Sequence, residues 1–246
     1  MPQVCQRLIA RLASLNEYPP GALAIADSDR IRGTAFFPGG FGLWDPDGRT
    51  PALPPRPVVI VGNNWGTPKD HEWARKLGAE YSDVWPEKRQ KDCTTWWNLL
   101  PILRGAGIEP EQCFFTNAYM GLKADNDSNL GDFPTTPTFD HWCREFLAFQ
   151  LTVLTPSVVV ALGMPAIRML SQVVPELRGW RGPRGGERSF SEIQRLVHPA
   201  TISSSQPAFS AVAIPHTCYP VNLSPGSKEE IELLRTAAVS VGLLAR

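Results

Sequence analysis

Apolar positions along the chain fall into two textures. The first is short and unbroken: Val58-Val59-Ile60-Val61, Cys113-Phe114-Phe115-Thr116-Asn117, Ser157-Val158-Val159-Val160-Ala161-Leu162 and Ala211-Val212-Ala213-Ile214-Pro215, each followed by a glycine or polar turn. Runs this short, apolar at nearly every position, predict strands buried on both faces. The second texture is longer, with apolar residues recurring at three- and four-residue steps, and it predicts helices. Met1 to Leu15 carries Val4, Leu8, Leu12 and Leu15 on one side; Thr95 to Leu103 carries Trp96, Leu99, Leu100 and Leu103; Phe139 to Leu154 carries Phe139, Trp142, Cys143, Phe146, Phe149 and Val153. Met164 to Val174 opens with Pro165, suited to a first helical turn, and Ser227 to Leu244 opens with Ser227 and Glu230 at capping-box spacing.

Strands separated by helices imply right-handed crossovers and parallel pairing. The expected fold is therefore α/β, a three-layer α/β/α sandwich around a central parallel sheet of about four strands. In such a sheet the carboxyl ends of the strands converge on one edge, where open α/β folds place their chemistry. That edge would collect Asn64, Asn117, Gly163 and His216.

Composition narrows this picture without redirecting it. With 246 residues and 43% hydrophobic content, residues 1–246 are expected to form a single domain, carrying a Gly/Pro-rich N-terminal segment over residues 19–57. That segment is expected to pack over the domain, because its aromatics need burial. Lys+Arg and Asp+Glu both count 24, so no global field draws the chain to polyanions and any such contact must be local. The best basic stretch is Arg178, Arg181, Arg184, Arg188 and Arg195, threaded through Gly179, Gly182, Gly185 and Gly186. Its guanidinium groups are placed to meet phosphates, or else form a solvated loop with Glu176, Glu187 and Glu192. Cys5, Cys93, Cys113, Cys143 and Cys218 lie far apart without a Cys-x-x-Cys pair, which favours free thiols over a disulfide framework or metal site. No signal-peptide core and no run near the roughly 18 apolar residues of a membrane span is visible, so a cytoplasmic protein without membrane contact is expected.

Four blocks at the strand ends, taken together and in order, carry a resemblance. Gly62-Asn63-Asn64-Trp65-Gly66, Phe115-Thr116-Asn117-Ala118, Ala161-Leu162-Gly163-Met164-Pro165-Ala166 and Pro215-His216-Thr217 resemble the motifs of the uracil-DNA glycosylase superfamily, nearest by motif to its Asn-type mismatch-specific and single-strand-selective branches. The resemblance implies a uracil-DNA glycosylase-like fold and a monomeric DNA repair glycosylase. Such an enzyme flips a deaminated base, uracil above all, out of DNA and hydrolyses its N-glycosidic bond with no cofactor and no metal.

By motif position Asn64 resembles the residue that orients the attacking water, which a carboxamide can do without being a strong base. His216 resembles the histidine whose ring N–H faces charge developing on the departing base. His198-Pro199-Ala200 is a rival that copies the family's letters better, but no apolar strand precedes it. Asn117 resembles the amide that reads the uracil edge, and Trp96 of Thr94-Thr95-Trp96-Trp97-Asn98 the aromatic that stacks on the base, with Trp97 left to packing. Gly62 and Gly66 belong with the base-binding loop. Trp65 stands where most family members carry proline, and three readings are open: it narrows the pocket, stacks on the base, or marks a divergent or inactive member. Arg181, Arg184 and Thr217 complete the set as DNA-facing residues. Asp70 and His71 lie near enough in sequence to assist Asn64.

Each of these residues has a plainer role available: an asparagine caps turns, a histidine or helical aromatic fills a core. Two other functions follow from the plainer roles. One is a nucleic-acid- or base-binding relative that has lost catalysis. The other is a small-molecule hydrolase or transferase using Cys218 and His216.

Overall fold

The computed structural model describes residues 3–24, 54–69, 94–124, 132–181, 196–204, 206–217 and 228–245. Helix α1 (Gln3–Leu12) leads to the two-residue strand β1 (Ala22–Leu23), then β2 (Val58–Gly62), α2 (Thr94–Gly105), β3 (Cys113–Asn117) and β4 (Leu122–Lys123). Helix α3 (Pro137–Leu154), β5 (Val158–Leu162), α4 (Gly163–Val173), β6 (His198–Ala200), β7 (Phe209–Ile214) and α5 (Lys228–Ser240) follow.

The main sheet has five strands in the order β3-β2-β5-β7-β6. The four apolar runs form its parallel part, and β6 pairs antiparallel along the outer edge of β7. Every residue of β2, β3, β5 and β7 is buried, as continuous apolar strands require. Alternation along each strand divides the core. Val59, Val61, Phe114, Val159 and Ala161 face α1, α3 and α4, with Phe139, Phe146 and Trp180. Val58, Ile60, Phe115, Val160 and Ile214 face α2 and α5 through Leu99, Leu103 and Leu234. The three-layer α/β/α arrangement follows from these two faces.

Strand order also locates the site. The chain steps from β2 outward to β3, returns past β2 to β5 and continues to β7. Connections therefore diverge at the carboxyl ends of β2 and β5, and such a switch point opens a crevice between outgoing loops. The β2 connection leads to α2 on one face; β5 runs directly into α4 on the other.

Helix limits differ little from the sequence expectation, and for local reasons. Helix α3 starts two residues earlier than Phe139, because Thr136 caps it by accepting from Phe139 N–H at 3.3 Å and Pro137 supplies a preset first turn. Ser227 lies outside the described residues, as do 25–53 of the Gly/Pro-rich segment. Beyond the expected four strands, the sheet gains β6, which has one buried residue in three and a proline at its centre. A proline survives there because an edge strand can leave one side unpaired.

Candidate active site

The loop after β2 is held by the loop after β3. Ala118 N–H donates to Gly62 O at 2.9 Å, Tyr119 N–H to Asn63 O at 2.8 Å, Trp65 N–H to Gly121 O at 3.2 Å and Lys123 N–H to Gly66 O at 2.9 Å. Ala124 N–H continues the ladder to Gly21 O at 2.9 Å, and β1 pairs antiparallel with β4. Backbone bonds of this kind leave the motif's side chains to other work, and they fix its path without regard to side-chain identity. Nothing in the apolar pattern of 118–124 announced this brace.

Within the loop, Asn64 Oδ1 accepts from Gly66 N–H at 2.7 Å, and Gly66 takes φ +84°, a conformation that favours glycine. The plainer role suggested for Asn64, a local turn cap, is thus present. An amide oxygen has two lone pairs, so this bond orients the carboxamide plane and leaves one lone pair for a water proton. Its neighbour Asn63 has a buried Oδ1 with no hydrogen-bond partner. Trp65 is only 2% exposed and belongs to the apolar cluster on the α1, α3 and α4 side. A large indole in place of proline is accommodated by the core.

Asn117 pairs in register with Gly62 and lies on the α2 side of the sheet, by alternation from Cys113 and Phe115. Gly62, which carries no side chain, is the register partner of Asn117 at the upper end of that side, and Leu162 faces the same side. Asn117 is 1% exposed, so anything read by its amide must enter to full depth.

His216 follows β7 on the same edge. Gly163, at φ +76°, ends β5 and opens α4; a Cβ there would stand 2.9 Å from His216 Cβ, so the imidazole-bearing loop rests directly on this glycine. Behind it, the buried Asn98 of α2 donates from Nδ2 to Thr217 O at 2.7 Å. Burial lowers the His216 pKa to about 4, which keeps the imidazole neutral at physiological pH, with one ring N–H to donate.

The rival histidine sits elsewhere. His198 pairs with Ala211, three residues below Ile214 along β7, and its ring meets Trp180 edge-on at 5.6 Å. At roughly 3.3 Å per residue it lies about 10 Å short of the strand-end edge. The geometry thus agrees with the strand context, which favoured His216 over His198 at this edge.

Other expected residues fall in three groups. Trp96 is on α2 with only its backbone described, whereas Trp97, expected to pack, is 39% exposed. Thr217, expected to face DNA, is fully buried, and its Oγ1 has no hydrogen-bond partner. Its contribution is interior, through the carbonyl that Asn98 holds. Arg181 is exposed but its Nε donates to Ser171 Oγ at 3.1 Å. Ser171 is eight residues along α4 from Gly163, about 12 Å from the site edge at 1.5 Å per residue, so Arg181 is anchored away from that edge. Arg184, Asp70, His71 and Cys218 lie outside the described residues. Among the described residues no group of three or more His, Cys, Asp or Glu side chains forms a metal-ligand set, and no helix is long and apolar enough to cross a membrane. Cys113 and Cys143 are buried free thiols, and burial raises the pKa of both, that of Cys143 to about 12, so neither is an activated nucleophile.

The arrangement comprises a glycine-led loop with a fixed carboxamide after β2, a buried amide in register with Gly62, and a neutral histidine beyond β7, two strands from β2. No curated protein matches the chain. A family profile does: that of the uracil DNA glycosylase superfamily, over residues 54–215, from just before β2 to the residue preceding His216. This span covers more than half of the chain and every parallel strand, and with it the chain belongs to the uracil DNA glycosylase superfamily.

Proposed function

We propose that this protein is a DNA repair glycosylase that removes a deaminated base, uracil first among them, from DNA. What supports the reading is the placement of Asn64 and His216 beyond β2 and β7, two strands apart, in a chain of this superfamily. Neighbouring strands are about 4.8 Å apart, so the two loops start about 10 Å from one another, enough to admit a flipped nucleoside between them. In this reading a base enters beside Gly62, its edge meets the Asn117 amide, and Trp96 stacks on it.

The chemistry then needs little acid or base. The C1′–N bond breaks with its electron pair leaving on the base, and the sugar approaches an oxocarbenium ion. His216 donates its ring N–H to the carbonyl oxygen on which the negative charge collects, a contact that strengthens as charge develops. Asn64 holds the water that adds to C1′ by accepting one of its protons in a hydrogen bond. Being an amide it takes no proton, so the proton lost by the water passes to the departing base or to solvent. The products are free base and an abasic site.

Release of free base from oligonucleotides with one uracil, single-stranded or opposite guanine or adenine, tests this directly, with Asn64→Ala and His216→Ala assayed beside the parent. Release by the parent, sharply reduced in both variants, is the expected result. Tight binding to uracil-containing DNA without release would replace it with a non-catalytic relative, a reading to which the Asn64–Gly66 turn bond lends some weight.

A further inference from the structure

We propose that Asn98 is a positioning residue that sets His216 in place through the backbone of Thr217, and so couples helix α2 to the leaving-group end of the site. The inference rests on the glycosylase reading and goes beyond it by naming a residue that touches neither base nor sugar.

Asn98 lies on the buried side of α2, beside Leu99, Leu100, Ile102 and Leu103, and is 2% exposed. A carboxamide among leucines carries a desolvation cost unless it is hydrogen-bonded. Its Nδ2 meets the main-chain carbonyl of Thr217 at 2.7 Å, 119 residues away in sequence. Thr217 follows His216 directly, where β7 has already ended at Ile214 and ladder bonds no longer hold the chain. Contacts from two neighbouring elements help to hold it there. Gly163 supports the His216 Cβ from the β5 side, and Asn98 holds the next carbonyl from the α2 side.

A histidine beyond its strand needs such restraint. Hydrogen bonding to a developing charge depends on angle and distance, and a misplacement of about 1 Å can cost about a hundredfold in rate. The amide is bonded to a backbone atom, so it fixes the loop's path whatever side chain Thr217 carries. It also begins on the helix that bears Trp96, so the aromatic side and the histidine side of the site share one rigid element.

The test pairs catalysis with a direct view of the imidazole. Asn98→Ala should lower the single-turnover excision rate at saturating enzyme about ten- to a hundredfold, with affinity for uracil-containing DNA changed less than threefold. In the His216→Ala background the same substitution should cost nothing further, because its effect runs through the histidine. Asn98→Asp keeps the shape, and its ionised carboxylate cannot donate to the Thr217 carbonyl; it should lose rate similarly and serves if the alanine variant does not fold. NMR titration of the His216 ring, which needs no substrate, should show the midpoint rising from near 4 toward 6.5 in either variant as the loop admits water. Parent-like excision with an unchanged His216 titration in a folded variant would overturn the role of Asn98 and leave the glycosylase reading intact. A parent that releases no base would count against that reading, and the titration alone would then decide whether Asn98 holds the histidine.

Discussion

β7 has a His-Pro pair at each end of its surroundings, His198-Pro199 beside its lower half and Pro215-His216 beyond its top, and the two do different things. His198 is in a regular ladder, pinned between Ala211 and the edge of the Trp180 indole. His216 has left the ladder, stands on Gly163 and is followed by a carbonyl held from α2. Both histidines flank one strand, and height along it separates an imidazole within the ladder from one at the strand-end edge. In an open α/β sheet the strand ends are where backbone pairing stops and side chains from several elements can meet.

The largest effect expected from this contrast is in catalysis. His216→Ala should lower base excision by at least a hundredfold, the scale on which removal of a single charge-stabilising donor acts, while His198→Ala retains the parent rate within about threefold. Equal losses in the two variants, measured as single-turnover rates on a uracil oligonucleotide, would erase the distinction. Asn64→Ala should follow closely, with DNA binding spared.

Next in size is the glycine under His216. Gly163→Ala adds a Cβ 2.9 Å from that of His216 at a φ that costs an L-residue about 1–2 kcal/mol, so both thermal stability and excision should fall. Gly242→Ala, also at positive φ but with no atom within 4 Å of the added Cβ, is the control: it should show the backbone cost with parent-like excision. A Gly163 variant that keeps its full rate would mean that His216 does not need this seat.

pH sharpens the comparison further. The folded His216 titrates near 4, so excision should show no inflection around pH 6.5 and should change only as the imidazole protonates well below it. Folding stability carries the matching sign. Between the folded value near 4 and the ordinary 6.5, unfolded chains bind a proton that the folded protein excludes, so His216 lowers stability as pH falls through that window, by at most about 1.4 kcal/mol per pH unit. His216→Asn should flatten that part of the curve in denaturant titrations. The smallest effect is expected at the other histidine: loss of the His198–Trp180 contact should cost about 0.5–1.5 kcal/mol, read as a small shift in Tm.

Much of the frame was legible before any coordinates. The parallel strands announced themselves because a strand buried on both faces must be apolar at every position, and the helices because one face of each is apolar at helical spacing. The Gly62–Gly66, Asn117, Gly163 and His216 blocks were legible for the same reason: polar residues following such strands interrupt a strong pattern. The layer that Trp65 enters was not legible, because an aromatic at a loop gives no hint of it. The fifth strand was hidden by its length and its proline. The 118–124 brace was hidden because backbone hydrogen bonds place almost no demand on residue type.

The sequence by itself therefore determined the α/β alternation, the apolar strands and the set of polar residues at their ends, since each is encoded in residues a few positions apart. Only the tertiary structure decided that His198 meets Trp180, that Trp65 and Thr217 are buried, that Arg181 is anchored lower down on α4, and that Asn98 reaches Thr217. Those outcomes depend on strand register and on contacts between segments as much as 119 residues apart, where geometry is set by how whole elements pack and not by any local pattern.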